Sequence, residues 1–166
     1  IRETKLNYLD FFLINNNCIS KYMPRTKSLA TLIQHYGSER VFKPKANKIP
    51  AIYKILNREI FNNRLKTPYV KIRRIRGALG LFEFNPYATK HCYRITLHNK
   101  FKNFQEFVEI LGHEMVHYYQ KLVLKQNSAK HNKEFYSFRK RFSRMGLELK
   151  RIYRCLLYTS PSPRDA

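Results

Sequence analysis

The stretch from Asn103 to Lys125 carries apolar residues at the spacing that places them on one side of an α-helix. Asn103 and Glu106 have the form of a capping box at its start, in which each side chain accepts a bond from a free backbone N–H. Lys121 and Lys125 lie near its end, where the helix dipole favours positive charge. These features predict one long helix with a buried side, on which the rest of the chain must pack. The predicted buried positions are Phe104, Phe107, Val108, Leu111, Met115, Tyr118, Leu122 and Val123.

This helix contains an H-E-x-x-H motif, formed by His113, Glu114 and His117. Residues four apart lie on the same face of a helix, so both imidazoles can face one point. Glu114 lies about 100° around the helix axis, beside that point. The arrangement suits a Zn²⁺ ion held by two histidines, with Glu114 free to act as a base. The alternative interpretation is that both histidines are buried in the core and bonded to carbonyl groups.

A catalytic zinc ion usually takes three protein ligands and keeps one position open. The candidate third ligand is His131, at the start of the last predicted helix. Two alternatives remain: His131 is a helix N-cap or surface residue, or Glu134 is the third ligand, as in thermolysin-type sites. The longer metzincin motif needs a glycine and a histidine where this chain has Gln120 and Val123.

The residues before and after the long helix predict a small α+β domain. Helical spacing of apolar residues predicts a helix over 51–64, and alternation predicts strands over 70–73, 79–85 and 93–98. Three consecutive strands with short turns predict an antiparallel meander. A last helix is predicted over 131–145, with Phe residues on one side and basic residues on the other.

Residues 1–49 are predicted to form a basic N-terminal appendage. Leu6–Ile14 and Ser28–Tyr36 are predicted short helices, the second ending at Gly37. Lys43–Lys45 and Ile49-Pro50 indicate an extended basic linker, because proline disfavours a helical conformation in the residue before it. We expect this appendage to be a DNA-contacting arm.

The net charge of +22, from 33 Lys+Arg against 11 Asp+Glu, predicts a polyanionic partner and favours DNA. The alternative is a generally basic, solvated surface. We expect the DNA contacts to come from one cluster after the first strand and a second cluster on the last helix. These residues are Arg73, Arg74, Arg76, Arg139, Lys140, Arg141 and Arg144.

Neither a long apolar run nor a signal peptide occurs in the chain, so we expect no membrane insertion and no export. The three cysteines, Cys18, Cys92 and Cys155, form no C-x-x-C pair, which argues against a disulfide framework or a zinc ribbon. We therefore expect an intracellular location, either cytoplasmic or associated with DNA.

The last residues of the chain, 155–166, read CLLYTSPSPRDA. Residues 155–165 resemble the translation of a transposase sequencing adaptor, so we interpret 155–166 as an adaptor-derived tail and exclude it from the fold. On this interpretation the natural chain continues past Arg154.

The order of these motifs resembles the SprT-like zinc metallopeptidases, which include the Spartan proteases. His131 followed by Phe135 is similar to their His-Gly-x-x-Phe element, which comes after a helix bearing H-E-x-x-H. The similarity extends over about residues 51–149 and includes Leu56–Phe61 in the first helix. One departure is Asn132, where the family usually has glycine.

The resemblance implies a minimal zincin-like domain over residues 50–152, with His113, His117 and His131 as zinc ligands. It implies a zinc-dependent endopeptidase that attacks a peptide carbonyl with an activated water, and Glu114 as its general base. Spartan-type members act in DNA repair on proteins bound or crosslinked to DNA, so protein substrates and DNA are the implied partners. We expect the substrate to pair with an edge strand near residues 92–98.

A second function from a different class stays open. The chain could be a basic DNA-binding module with a structural or inactive zinc site. The free carboxylate of Glu114 argues against this function, because a structural site has no use for it and would usually have a fourth protein ligand.

Overall fold

A computed structural model describes residues 29–37, 39–127 and 130–151. The predicted helix over Leu6–Ile14 and the tail at 155–166 lie outside these residues. The second predicted short helix is confirmed as α1, Leu29–Tyr36.

The long helix is confirmed as α3, Phe104–Leu122. Its predicted cap is present: the Asn103 side chain accepts a bond from the Glu106 N–H at 2.8 Å. The Glu106 carboxylate in turn accepts from the Lys102 N–H at 2.6 Å. Every residue from Phe107 to Gln120 is buried, so the helix is covered on all sides rather than on one.

The helix before the sheet, α2, runs from Ile49 to Phe61. The predicted extended linker is wrong at Ile49 and Pro50, since proline is well suited to the first turn of a helix. The helix also ends earlier than predicted, because Asn62 adopts a left-handed backbone conformation with φ 54°.

The sheet is mixed, with strands β1 (Tyr69–Ile72), β2 (Gly80–Phe84) and β3 (Tyr93–Leu97). The strand order is β1-β3-β2, and β3 is parallel to β1 and antiparallel to β2. The α+β class is confirmed, but the predicted antiparallel meander is wrong. The connection over 73–79 is longer than a hairpin turn, and it does not pair β1 with β2. Strand β3 lies between these two strands.

The expectation that a substrate pairs with an edge strand near residues 92–98 is also wrong, because β3 is the central strand of the sheet. Residues 93–97 already pair with a strand on each side, so they offer no free edge to a peptide. Ile95, Thr96 and Leu97 are buried in succession, as expected for a strand covered on both faces.

The predicted last helix is wrong as a single element. It consists of two short helices, α4 (Lys133–Tyr136) and α5 (Arg139–Arg144). The Ser137 hydroxyl donates to the Glu134 carbonyl at 2.6 Å. The Phe138 N–H bonds three residues back to Phe135, which breaks the helical ladder at this point.

Helix α3 packs against β2 and β3 of the sheet and against α1, α2 and α4. Residues 29–42 of the predicted appendage contribute Leu29 and Phe42 to this same core. The bridge between Phe42 and Phe101 joins that segment to the start of α3. Within the described residues, no helix is long and apolar enough to cross a membrane.

Candidate metal centre

The structure brings the three predicted histidine ligands together. His113 and His117 lie one turn apart on α3, and His131 lies just before α4. The Nε2 atom of His113 is 3.1 Å from that of His117 and 3.1 Å from that of His131. Two ligands bound about 2.0–2.1 Å from a tetrahedral zinc ion lie about 3.3 Å apart. The cluster therefore has the dimensions of a site that could hold a metal ion.

Acceptors on the far side of two of the rings decide which nitrogens face the centre. His113 Nδ1 lies 3.0 Å from the Lys150 carbonyl, and His117 Nδ1 lies 3.0 Å from Oε1 of Gln120. A carbonyl oxygen can only accept, so we assign the ring proton to Nδ1 in both histidines. Their Nε2 atoms then carry lone pairs that face each other at 3.1 Å. A cation between them would remove this repulsion, and three imidazoles suit zinc and similar transition metals.

Phe135 forms the floor of the cluster. Its ring is fully buried and lies 4.9 Å from the rings of both His113 and His117 and 4.7 Å from that of His131, measured between centroids. The apolar ring therefore excludes water from this side of the cluster.

This environment keeps the histidines neutral. Burial lowers the pKa of His113 to about 3, and the facing rings of His117 and His131 add to the effect. Burial also lowers the pKa of His117 and of His131. Neutral imidazole is the form that binds a metal ion, so little proton release is needed at pH 7.

Glu114 lies beside the cluster and beneath β2. Its side chain is buried, and its carboxylate accepts a hydrogen bond from the Phe82 N–H. Burial raises the pKa of Glu114 to about 8, against the smaller opposing effect of this bond. A cation in the site would lower the pKa again, because opposite charge favours the ionised form.

The backbone of β2 turns one edge toward this carboxylate. His98 donates to Leu79 at 2.8 Å and Asn85 donates to Cys92 at 2.9 Å. Bonding alternates along an antiparallel pair, so the N–H and C=O groups of Gly80, Phe82 and Phe84 point away from β3. Among the described strands none pairs with this second edge of β2.

Gly80 is a site residue that the sequence analysis missed, because it was treated only as part of the predicted strand over 79–85. A Cβ atom at this position would lie 2.7 Å from the Glu114 carboxylate and 2.8 Å from Cγ2 of Ile110. A glycine inside an alternating stretch is a known sign of close approach, and it is the signal that could have identified this residue.

Gly112 has a different explanation. A Cβ atom there would lie 2.8 Å from the ring of Phe142, so this glycine serves helix packing within the core.

The two tyrosines that follow the H-E-x-x-H motif pack against the sheet and against α2. The ring of Tyr118 packs on Phe82 and Tyr93 of the sheet. Tyr119 packs on Phe61 of α2, and its hydroxyl accepts a bond from Arg64 at 2.7 Å.

The predicted DNA-contacting residues lie on two elements, the connection over 73–79 and helix α5. Arg141 has a structural contact, because it donates to the Ile60 carbonyl at 2.6 Å and its guanidinium lies over the Phe138 ring. Arg139 lies over the Tyr136 ring at 4.1 Å. All of them except Arg141 are exposed: Arg73, Arg74, Arg76, Arg139, Lys140 and Arg144.

The fold and the site together define an α+β protein whose central helix carries a three-histidine candidate metal centre. The model of the SprT-like family matches residues 49–153, which is more than half of the chain, and the chain belongs to this family. Comparison with curated proteins and with solved structures gave no match.

Proposed function

We propose that this chain is a zinc-dependent endopeptidase with a zincin-like domain that acts on proteins bound or crosslinked to DNA. The observation that supports it best is the combination of three convergent imidazoles with a separate, buried carboxylate. In a purely structural site, every ligand atom would face the metal ion. Here the Glu114 carboxylate lies outside the cluster of three histidines and accepts a hydrogen bond from the Phe82 N–H.

A zinc ion held by His113, His117 and His131 would supply Lewis acidity, which polarises a peptide carbonyl and lowers the pKa of a coordinated water to about 7. The rest of the chemistry belongs to the protein. The Lys150 carbonyl and the Gln120 amide orient the rings of His113 and His117.

Glu114 is the proposed general base. Its carboxylate takes a proton from the attacking water and then donates it to the leaving amine. A base works best when its pKa is near the working pH, and burial shifts the pKa of Glu114 in that direction. The backbone bond from Phe82 holds the carboxylate in place between these two proton transfers.

The edge of β2 with which no described strand pairs is the proposed place for the substrate. An extended peptide would add to this edge through main-chain hydrogen bonds to Gly80, to Phe84 and to the Phe82 carbonyl, because the Phe82 N–H is already bonded to Glu114. This edge lies over α3, next to Glu114. A peptide bound there would place a carbonyl close to both the carboxylate and the histidines.

The charge of +22 supports DNA as the place where these substrates are met. The exposed residues Arg73, Arg74 and Arg76, together with those on α5, would contact phosphate groups and raise the local concentration of DNA-bound proteins.

The test compares cleavage of casein and histone, with and without single-stranded DNA, by the wild type and by Glu114→Gln. The matched control is Glu109→Gln, since Glu109 is another buried carboxylate of α3 whose Oε1 accepts bonds from Gln105 and Glu148. We expect zinc in all three proteins and cleavage lost only in Glu114→Gln. Zinc and DNA binding without cleavage by the wild type would favour the DNA-binding module instead.

A further inference from the structure

Gln120 lies in the last turn of α3, and its side chain is fully buried. Its Oε1 atom lies 3.0 Å from Nδ1 of His117. Its Nε2 atom donates to the Lys130 carbonyl at 2.8 Å and to Oδ1 of Asn132 at 2.9 Å. Every polar atom of this buried amide therefore has a partner, and the side chain has one orientation.

The orientation of the amide decides the tautomer of His117. The Lys130 carbonyl can only accept a hydrogen bond, so the amide nitrogen of Gln120 must face it. The amide oxygen then faces His117 and accepts its Nδ1 proton. The Nε2 atom of His117 is left with the lone pair that a metal ion needs.

The same amide also holds the segment that carries His131. Its two other partners, Lys130 and Asn132, are the residues on either side of His131 in the chain. Oδ1 of Asn132 additionally accepts the Phe135 N–H at 3.1 Å, which caps α4. One side chain thus connects the second histidine with the two residues that flank the third.

Asn132 adopts φ −100° and ψ −170°, an extended conformation that does not require glycine. A glycine here would leave the backbone unchanged but would remove both the cap of α4 and one partner of Gln120. The role of Asn132 therefore lies in its side chain and not in its backbone conformation.

We propose that Gln120 and Asn132 are positioning residues that form one hydrogen-bonded link, which sets the tautomer of His117 and the location of His131 for metal binding. This inference rests on the proposed function only in requiring that the three histidines bind a metal ion.

The first test measures zinc affinity by competition with a chelator. Loss of a hydrogen-bonding partner behind a metal ligand typically weakens metal binding by about 10–100-fold. We expect a loss of this size in Gln120→Met. The matched control is Gln105→Met, because Gln105 lies on the same helix and its amide also makes two bonds, to Glu109 at 3.0 Å and to Gly146 at 3.4 Å. The control should bind zinc as the wild type does.

A second pair of variants covers the case in which Gln120→Met does not fold. Asn132→Asp keeps the accepting oxygen for Gln120 and for Phe135, so it should keep the wild-type affinity. Asn132→Gly removes that oxygen and should weaken zinc binding by about 10-fold or more. In the metal-free protein, nitrogen NMR of the His117 ring should show the proton on Nδ1 in the wild type but a mixture of tautomers in Gln120→Met.

Three outcomes are distinct. Weakened zinc binding in Gln120→Met and Asn132→Gly, with Gln105→Met and Asn132→Asp unchanged, supports the link. Equal affinity in all of these variants overturns it and leaves the proposed function standing. Absence of zinc binding in the wild type overturns the proposed function and with it the role of the link.

Discussion

Substitution of Gly80 by alanine should separate catalysis from metal binding. The added Cβ atom would lie 2.7 Å from Oε1 and 2.8 Å from Cγ of Glu114. Carbon atoms in ordinary contact are about 3.5–4.0 Å apart, so the carboxylate must move by about 1 Å. A misplacement of this size can lower the rate about 100-fold. The same Cβ atom also meets Ile110, and such overpacking costs about 1–3 kcal/mol of stability.

The assay measures kcat for peptide cleavage and zinc affinity in the same preparation of Gly80→Ala. We expect kcat to fall by about 100-fold while zinc affinity stays close to that of the wild type, since the three atoms nearest to the added Cβ belong to Glu114 and Ile110. Gly112→Ala is the matched control, because its Cβ atom meets the Phe142 ring at a similar 2.8 Å but not Glu114. Unchanged kcat in Gly80→Ala, or an equal fall in both variants, would refute this reasoning.

Four further measurements test other parts of the account. The folded protein binds a proton at Glu114 between pH 4.5 and about 8 that the unfolded chain does not. The contribution of Glu114 to the stability of the metal-free protein should therefore fall as the pH rises. In urea unfolding, the free energy of unfolding of Glu114→Gln should increase relative to that of the wild type by on the order of 4 kcal/mol between pH 5 and pH 8. Because the pKa of His113 is lowered to about 3, calorimetry on Glu114→Gln, which has no carboxyl proton to release at this position, should find zinc affinity nearly constant from about pH 7 to pH 6, where a tenfold loss would contradict the neutral cluster. His131→Ala should weaken zinc binding by about 100-fold or more, and unchanged affinity in dialysis would exclude this ligand. Arg141→Met should lower the free energy of unfolding by about 1–3 kcal/mol in thermal unfolding, because it removes the bond from Arg141 to a helix carbonyl. Lys140→Met should leave stability unchanged and reduce the salt slope of DNA binding by about 1.

The long helix and its motif could be predicted because their signals are local. The capping oxygen of Asn103 and the spacing of His113 and His117 are properties of one continuous segment, and the structure places them as expected. Phe135 was identified through its resemblance to the His-Gly-x-x-Phe element, and its ring is fully buried 4.7 Å from that of His131.

The order of the strands could not be predicted in this way. Alternation identifies a strand, but it does not tell which partner lies on each side. The burial of Thr96, a polar residue in a sequence that alternates, results from its central place between β1 and β2. The parallel pairing of β1 with β3 is a contact between distant parts of the chain.

The link through Gln120 was also invisible in the sequence. A glutamine near the end of a helix normally indicates a solvated position, and its partners lie beyond the turn that follows α3. Gly80 was missed for a related reason, because the carboxylate that requires it comes from a helix that begins more than twenty residues later.

The most direct test of the account is X-ray absorption spectroscopy of the zinc-loaded protein, which gives the number and type of atoms bound to the metal. We expect three imidazole nitrogens about 2.0–2.1 Å from the zinc and one further oxygen that exchanges with added ligands. One imidazole should be lost in His131→Ala. Four protein ligands and no exchangeable position would identify a structural site and contradict the proposed peptidase.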